Sequence, residues 1–346
     1  MGKRAAIVMV AVLAVLALVG PGEAALRPLA ERDALASLLR YIPPVWADTH
    51  PADLLGPPLY FLDLARMRRE LGSPASLSTQ GLELMPDSDQ FLGSGAEARW
   101  GWDLADIDQS LYVPDVAVAV LQGRFRLAEI EDRLRAQGYR GESLGPFTVW
   151  VLESGGLVLI SKPGALIVSE SEIVARELAQ QTIDPVPTLD HQPAMAELLP
   201  YLQGAWGALL APSGDPAAID PQIRGYLGQA WPSLQPGKDV RAGWDMLAIA
   251  FSGPQARTVL RFLYHYPSPE EAARDVGLVR AGLTAGAVLR SPGQTWGSLV
   301  RLQGVQAEGN LIVATATAGQ SLLGEMARRR DLGFLPFRVL AAASGG

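Results

Sequence analysis

The chain has 346 residues, a formal charge of −7, no cysteine and 49% hydrophobic residues. That length suits two ordinary domains or one large one, and the apolar content can fill a core, which excludes a disordered stalk. The acid excess, with no stripe of Lys or Arg, argues against nucleic acid and anionic membranes as partners. The lack of cysteine excludes disulfides, thiolate metal ligands and cysteine nucleophiles.

The first 24 residues have the parts of a secretory signal peptide. Lys3 and Arg4 start it, Ala5 to Val19 is an apolar run, and Gly20-Pro21 breaks the helix before a small-residue site at Gly22-Glu23-Ala24. The run is shorter than the ~20 residues that span a bilayer comfortably. Export with cleavage near Ala25 is expected, giving a secreted or periplasmic protein. The alternative is an uncleaved N-terminal anchor, which would be the chain's membrane contact. Lys occurs only at 3, 162 and 238 and Asn only at 310, a bias that fits a GC-rich bacterial genome. Scarce Asn and absent Cys suit a thermophile, but scarce Lys does not.

After the leader, the segment 25–44 carries a helix over Glu31 to Ile42, closed by Pro43-Pro44. Leu59 to Leu62 reads as a buried strand, and Asp63 caps a helix over Leu64 to Leu71 before Gly72. Residues 73–99 read as an irregular excursion. Val116 to Leu121 is a buried strand. Leu127 to Gln137 is a helix with Leu127, Ile130 and Leu134 on one face, an i,i+4 pair Glu131–Arg135 and Gly138 after its end. Strands follow at Phe147–Leu152, Leu157–Ser161 and Ala165–Val168. Ser169 and Glu172 have the spacing of a capping box for a helix to about Gln181, and Asp190 reads as a further helix cap.

The second half repeats this order loosely. Strands are expected at Trp206–Leu210, Asp245–Phe251 and Arg257–Tyr266. Ser268-Pro269-Glu270-Glu271 then starts a helix whose buried face is Ala272, Val276, Val279 and Leu283. Ser298–Leu302 and Leu311–Thr317 form a hairpin, and a helix over Ser321 to Arg329 closes the unit. The fold class is α+β, with antiparallel sheets and helices packed mainly on one face. Two pseudo-repeated units are expected at 45–202 and 203–332, followed by a tail at 333–346.

Within the first unit, Tyr60-Phe61-Leu62-Asp63-Leu64-Ala65 follows an opening helix and a proline pair. Trp102 to Asp108 precedes a strand, Gly123-Arg124-Phe125, a helix, Gly138-Tyr139 and Phe147 to Trp150. Over roughly residues 33–330 this resembles uncharacterised exported bacterial proteins of the domain-of-unknown-function type. The resemblance implies an extracytoplasmic α+β repeat protein and brings no catalytic residue with it.

Motifs for chemistry are sparse. His50, His191 and His265 have no partner at metal-ligand spacing, so no metal site is assigned. No G-x-S-x-G elbow occurs, and Gly237-Lys238-Asp239 lacks the rest of a phosphate loop. Gly93 to Ala98 matches a dinucleotide fingerprint in spacing but follows no buried strand, so no cofactor is assigned. Asp103, Asp106 and Asp108 read as capping residues, with calcium as the lesser reading. Trp100 and Trp102 could stack on a ligand but read better as core.

In the strand Arg257–Tyr266, alternation puts Thr258, Leu260, Phe262, Tyr264 and Tyr266 on a core face. Arg257, Arg261 and His265 lie on the other face, expected toward solvent or a partner as a binding surface. The functional expectation is a non-catalytic exported binding or scaffold protein of the bacterial envelope, whose partner is an envelope protein. The alternatives are a carrier of an apolar ligand and a hydrolase of envelope polymers.

Overall fold

The structure is a computed structural model that describes residues 34–42, 58–71, 92, 94–114, 117–183, 188–213, 240–254, 258–286, 293–318 and 337–339. The leader, His50, Arg257 and the expected helix 321–329 lie outside the described residues. In chain order the first elements are α1 (Ala34–Leu39), β1 (Leu59–Asp63), α2 (Leu64–Leu71), α3 (Ser94–Trp100), β2 (Ile107–Val113) and β3 (Val118–Gly123). Next come α4 (Leu127–Ala136), β4 (Tyr139–Leu144), β5 (Phe147–Leu152), β6 (Val158–Lys162), β7 (Ala165–Ser169) and α5 (Glu172–Ile183). A 3-10 turn at Leu189–His191 precedes α6 (Pro193–Leu202), β8 (Gly207–Pro212), β9 (Val240–Ala242), β10 (Met246–Ser252) and β11 (Thr258–His265). The last elements are α7 (Pro269–Ala285), α8 (Trp296–Leu299), β12 (Val300–Glu308), β13 (Leu311–Ala318) and β14 (Phe337–Val339).

One antiparallel sheet of 12 strands organises these elements, in the order β12-β13-β11-β10-β8-β1-β2-β3-β7-β6-β5-β4, and β9 pairs with β14 separately. The two halves meet at the β1·β8 pair, with Tyr60 opposite Leu209. On each side three meandering strands run outward, a helix follows, and a later strand returns to the third: β7 pairs with β3, and β13 with β11. The first half has the extra strands β4 and β5 at its rim. The fold is therefore α+β, with a continuous sheet crossing residue 202, where a unit boundary was expected.

Register decides which side chains share a face, because paired residues in antiparallel strands point the same way. One row runs Trp150, Leu159, Val168, Ala119, Tyr112 and Tyr60 in the first half. It continues through Leu209, Ile249, Phe262, Ala314 and Val305 in the second. This face packs with Leu64 and Met67 of α2, Ala96 and Trp100 of α3, Ile130 and Leu134 of α4, Val279 and Leu283 of α7 and Trp296 of α8. These helices make the main core. Val279 and Leu283 belong to the same core as the aromatic face of β11, with Val276 packed against it, but α7 lies mainly over β12 and β13 rather than over β11.

The opposite face is also covered. Leu38 and Leu39 of α1, Ala175, Leu178 and Ala179 of α5, and Met195, Leu198 and Leu202 of α6 are buried. Beneath them the sheet offers Phe61, Leu111, Val120, Ile160, Ile167, Leu210 and Leu263, also buried. This two-sided burial explains why β3, β6 and β7 read as unbroken apolar runs. Among the described residues no helix is long and apolar enough to cross a membrane.

Local signals set several boundaries. Arg66 N–H donates to Asp63 Oδ1 at 2.7 Å, so Asp63 caps α2 as expected. Glu271 N–H donates to Ser268 Oγ, and Pro269 opens α7. The expected Ser169 cap of α5 is displaced. Val174 N–H donates to Ser171 Oγ, whereas Ser169 Oγ accepts from Ser171 N–H, so the helix is capped two residues later. Asp190 caps no α-helix; it sits in the 3-10 turn, and α6 opens at Pro193.

Candidate functional site

The three residues proposed from sequence as a surface separate in the structure. Arg257 lies outside the described residues. Arg261 and His265 share a face of β11, and that face lies under α6 rather than open to solvent. Arg261 Nη1 donates to the carbonyl of Tyr201 at 2.5 Å, near the C-terminal end of α6. The cation thereby meets an unsatisfied helix carbonyl at the negative end of the helix dipole.

His265 is the centre of the cluster. Its side chain is only 7% exposed, whereas those of Asp245 and Glu197 are 47% and 42% exposed. Nδ1 lies 2.6 Å from Asp245 Oδ1. Nε2 lies 3.4 Å from Glu197 Oε2, an ion-pair contact. Two backbone bonds fix Asp245: its N–H donates to the His265 carbonyl and its carbonyl accepts from Ser213 N–H. Glu197 comes from α6 and accepts from Asn310 Nδ2 in the β12–β13 turn. Burial disfavours the charged imidazolium, but the bond to Asp245 and the two carboxylate charges outweigh it and raise the His265 pKa above its usual value.

Beside this cluster, Tyr201 OH donates to Glu308 Oε2 at 2.6 Å, which raises the phenol pKa. Gln306 Nε2 also donates to Glu308. The region is a polar seam joining α6 to β10, β11, β12 and the turn at Asn310.

The other candidates are held in structural roles. Trp100 and Trp102 stack at 5.6 Å between ring centroids with 12° between planes, and both are buried. Asp103 Oδ1 accepts from the N–H groups of Ala105 and Asp106, while Asp106 Oδ2 accepts from Asp103 N–H. Asp108 receives Arg68 Nη2 at 2.9 Å. The acidic triplet therefore closes its own loop and holds α2. Around His191, Asp190 accepts from Thr188 Oγ1 at 2.6 Å, and Arg40 lies 3.5 Å away, tying α1 to the 3-10 turn. Ser94 to Ala98, where the dinucleotide spacing falls, lies within the short helix α3.

The fold and this seam define an α+β protein built on one wide antiparallel sheet. No family model and no curated protein matches the chain. Among solved structures, crystal form III of TP0453 aligns at 9% identity over 83% of this chain and 98% of its own, with a TM-score of 0.44. Crystal forms I and IV of TP0453 align at 9% identity with a TM-score of 0.43, form I over 83% of this chain and 98% of its own, form IV over 82% and 96%.

Proposed function

We propose that the chain is an exported, non-catalytic binding or scaffold protein of a bacterial envelope. The observation that carries this reading is how the groups most able to do chemistry are used. His265 is buried between two carboxylates, Asp103 and Asp106 accept their own loop's amides, and the tryptophan pair is packed in the core. A general base must reach a substrate proton, and these groups are spent on holding secondary structure together. The charge–apolar–small pattern of residues 2–24 supports the export part of the reading.

The test is co-sedimentation of the chain purified from its culture with isolated envelopes and with purified murein, turnover being assayed in the same tubes. Saturable binding to envelopes without released fragments is the expected result. Release of soluble murein fragments, lost on heat denaturation, would replace this reading with the hydrolase alternative.

A further inference from the structure

We propose that α6 is a pH-responsive flap, clasped to the sheet by His265 while its imidazole carries a proton and loosened when that proton leaves. The helix is intrinsically weak in its second half. Pro200 lies inside it, so residue 200 has no N–H to donate to the Ala196 carbonyl, and the ring crowds that carbonyl. Side chains from outside therefore do much of the holding.

Besides the Asn310 amide on Glu197, three contacts do so. Arg261 Nη1 donates to the Tyr201 carbonyl, Tyr201 OH donates to Glu308, and His265 faces Glu197 across 3.4 Å. The first two do not involve the His265 proton. The third depends on a proton. With the imidazole charged, both ring nitrogens carry hydrogen. Nδ1 is within hydrogen-bond distance of Asp245, and Nε2, which makes no hydrogen bond, is in an ion-pair contact with Glu197. With it neutral, one nitrogen carries no hydrogen and meets a carboxylate lone pair to lone pair.

The groups facing this ring are few. From α6 comes Glu197, from the start of β10 Asp245, and from the β12–β13 turn the neutral Asn310. Glu308 of β12 is turned to Tyr201 and Gln306, and Arg261 of β11 to the Tyr201 carbonyl. No lysine or arginine stands against the imidazolium among the described partners. The raised pKa gives the sign: the clasp is complete below the ordinary histidine value of 6.5 and is lost as pH rises through the higher folded value. Release would uncover the apolar underside of α6, Met195, Leu198 and Leu202, and Leu263 on the sheet.

Hydrogen exchange of the α6 amides in the full chain, corrected for intrinsic rates, at about pH 6 and about pH 8.5 brackets the histidine range. The amides of β3 in the same sample report global stability. The expected result is a several-fold greater loss of protection in α6 than in β3 at the higher pH. His265→Gln should abolish that difference and Glu197→Gln should shrink it. Parallel changes in α6 and β3, or an undiminished difference in Glu197→Gln, would overturn the proposal. Glu197 is nearly half exposed, so that variant decides the matter even where the His265 variant does not fold.

Discussion

Asp63 accepts the Arg66 amide at 2.7 Å from a position where only 3% of the residue is exposed. A helix cap is thus placed inside the core, and desolvation raises the Asp63 pKa against the pull of that bond, Arg69 and Arg66. A raised carboxyl pKa means stability that is present at low pH and lost as pH rises through the folded value. Asp63→Asn keeps a good cap and removes the charge, so it should leave stability at neutral pH unchanged or higher. Asp63→Ala should lose about 1 kcal/mol with the cap. Urea unfolding of both variants at neutral pH checks this, and equal losses would refute it.

Two glycines should respond in opposite directions to alanine. A Cβ on Gly123 would lie 2.1 Å from the Asp106 carbonyl oxygen, a backbone atom that also accepts from Arg124 N–H. Gly123→Ala should cost about 1–3 kcal/mol or more, because the backbone must move. Gly277 lies in α7 with open space around its absent Cβ. Gly277→Ala should stabilise by about 1 kcal/mol through helix propensity. Thermal melts of the pair give the comparison directly.

On β11 the two faces should differ in size of effect. Phe262 is fully buried in the main core, and Phe262→Ala should cost about 3–5 kcal/mol. Arg261 is bonded to the end of α6, so Arg261→Ala should cost about 1 kcal/mol. That exceeds what a free surface arginine would cost, and an Arg261→Ala variant as stable as the parent would show that the bond to Tyr201 contributes nothing.

Calcium should not stabilise the protein through Asp103 and Asp106. Both carboxylates already accept backbone N–H groups of their own loop. A melting temperature that climbs with added calcium, and ceases to climb in Asp103→Asn, would contradict this.

Much of the fold was legible where one physical signal dominated. β7 and β3 read as buried runs, and α7 announced itself by Ser268, Pro269 and Glu271. β2 was missed because Asp108, Gln109 and Ser110 look like loop, although Gln109 and Ser110 are buried. β4 was missed because it is a sheet edge, where Arg140 and Glu142 face water. The helix expected behind Asp190 is α6, but its start lies at Pro193, beyond the 3-10 turn that holds Asp190. The same unbroken runs that marked the strands also signalled cover on both faces, which alternation in β11 alone did not convey. Of the seam around His265, alternation conveyed only that Arg261 and His265 share a face of β11. Asp245, His265 and Glu197 come from separate elements, and their meeting follows from strand pairing and the docking of α6.

The β1·β8 pair that joins the two halves of the sheet has a kinetic consequence. Tyr60 meets Leu209 across nearly half of the chain, whereas the neighbouring strand pairs join stretches much closer in sequence. Closing a loop of that length costs more entropy than closing the local meanders, so the halves are expected to form first and the seam between them last. During synthesis from the N-terminus, the free edge of β1 waits until residues 207–212 have emerged. For that interval an interior strand of the finished sheet would be an open edge, the place where a stray strand would be captured.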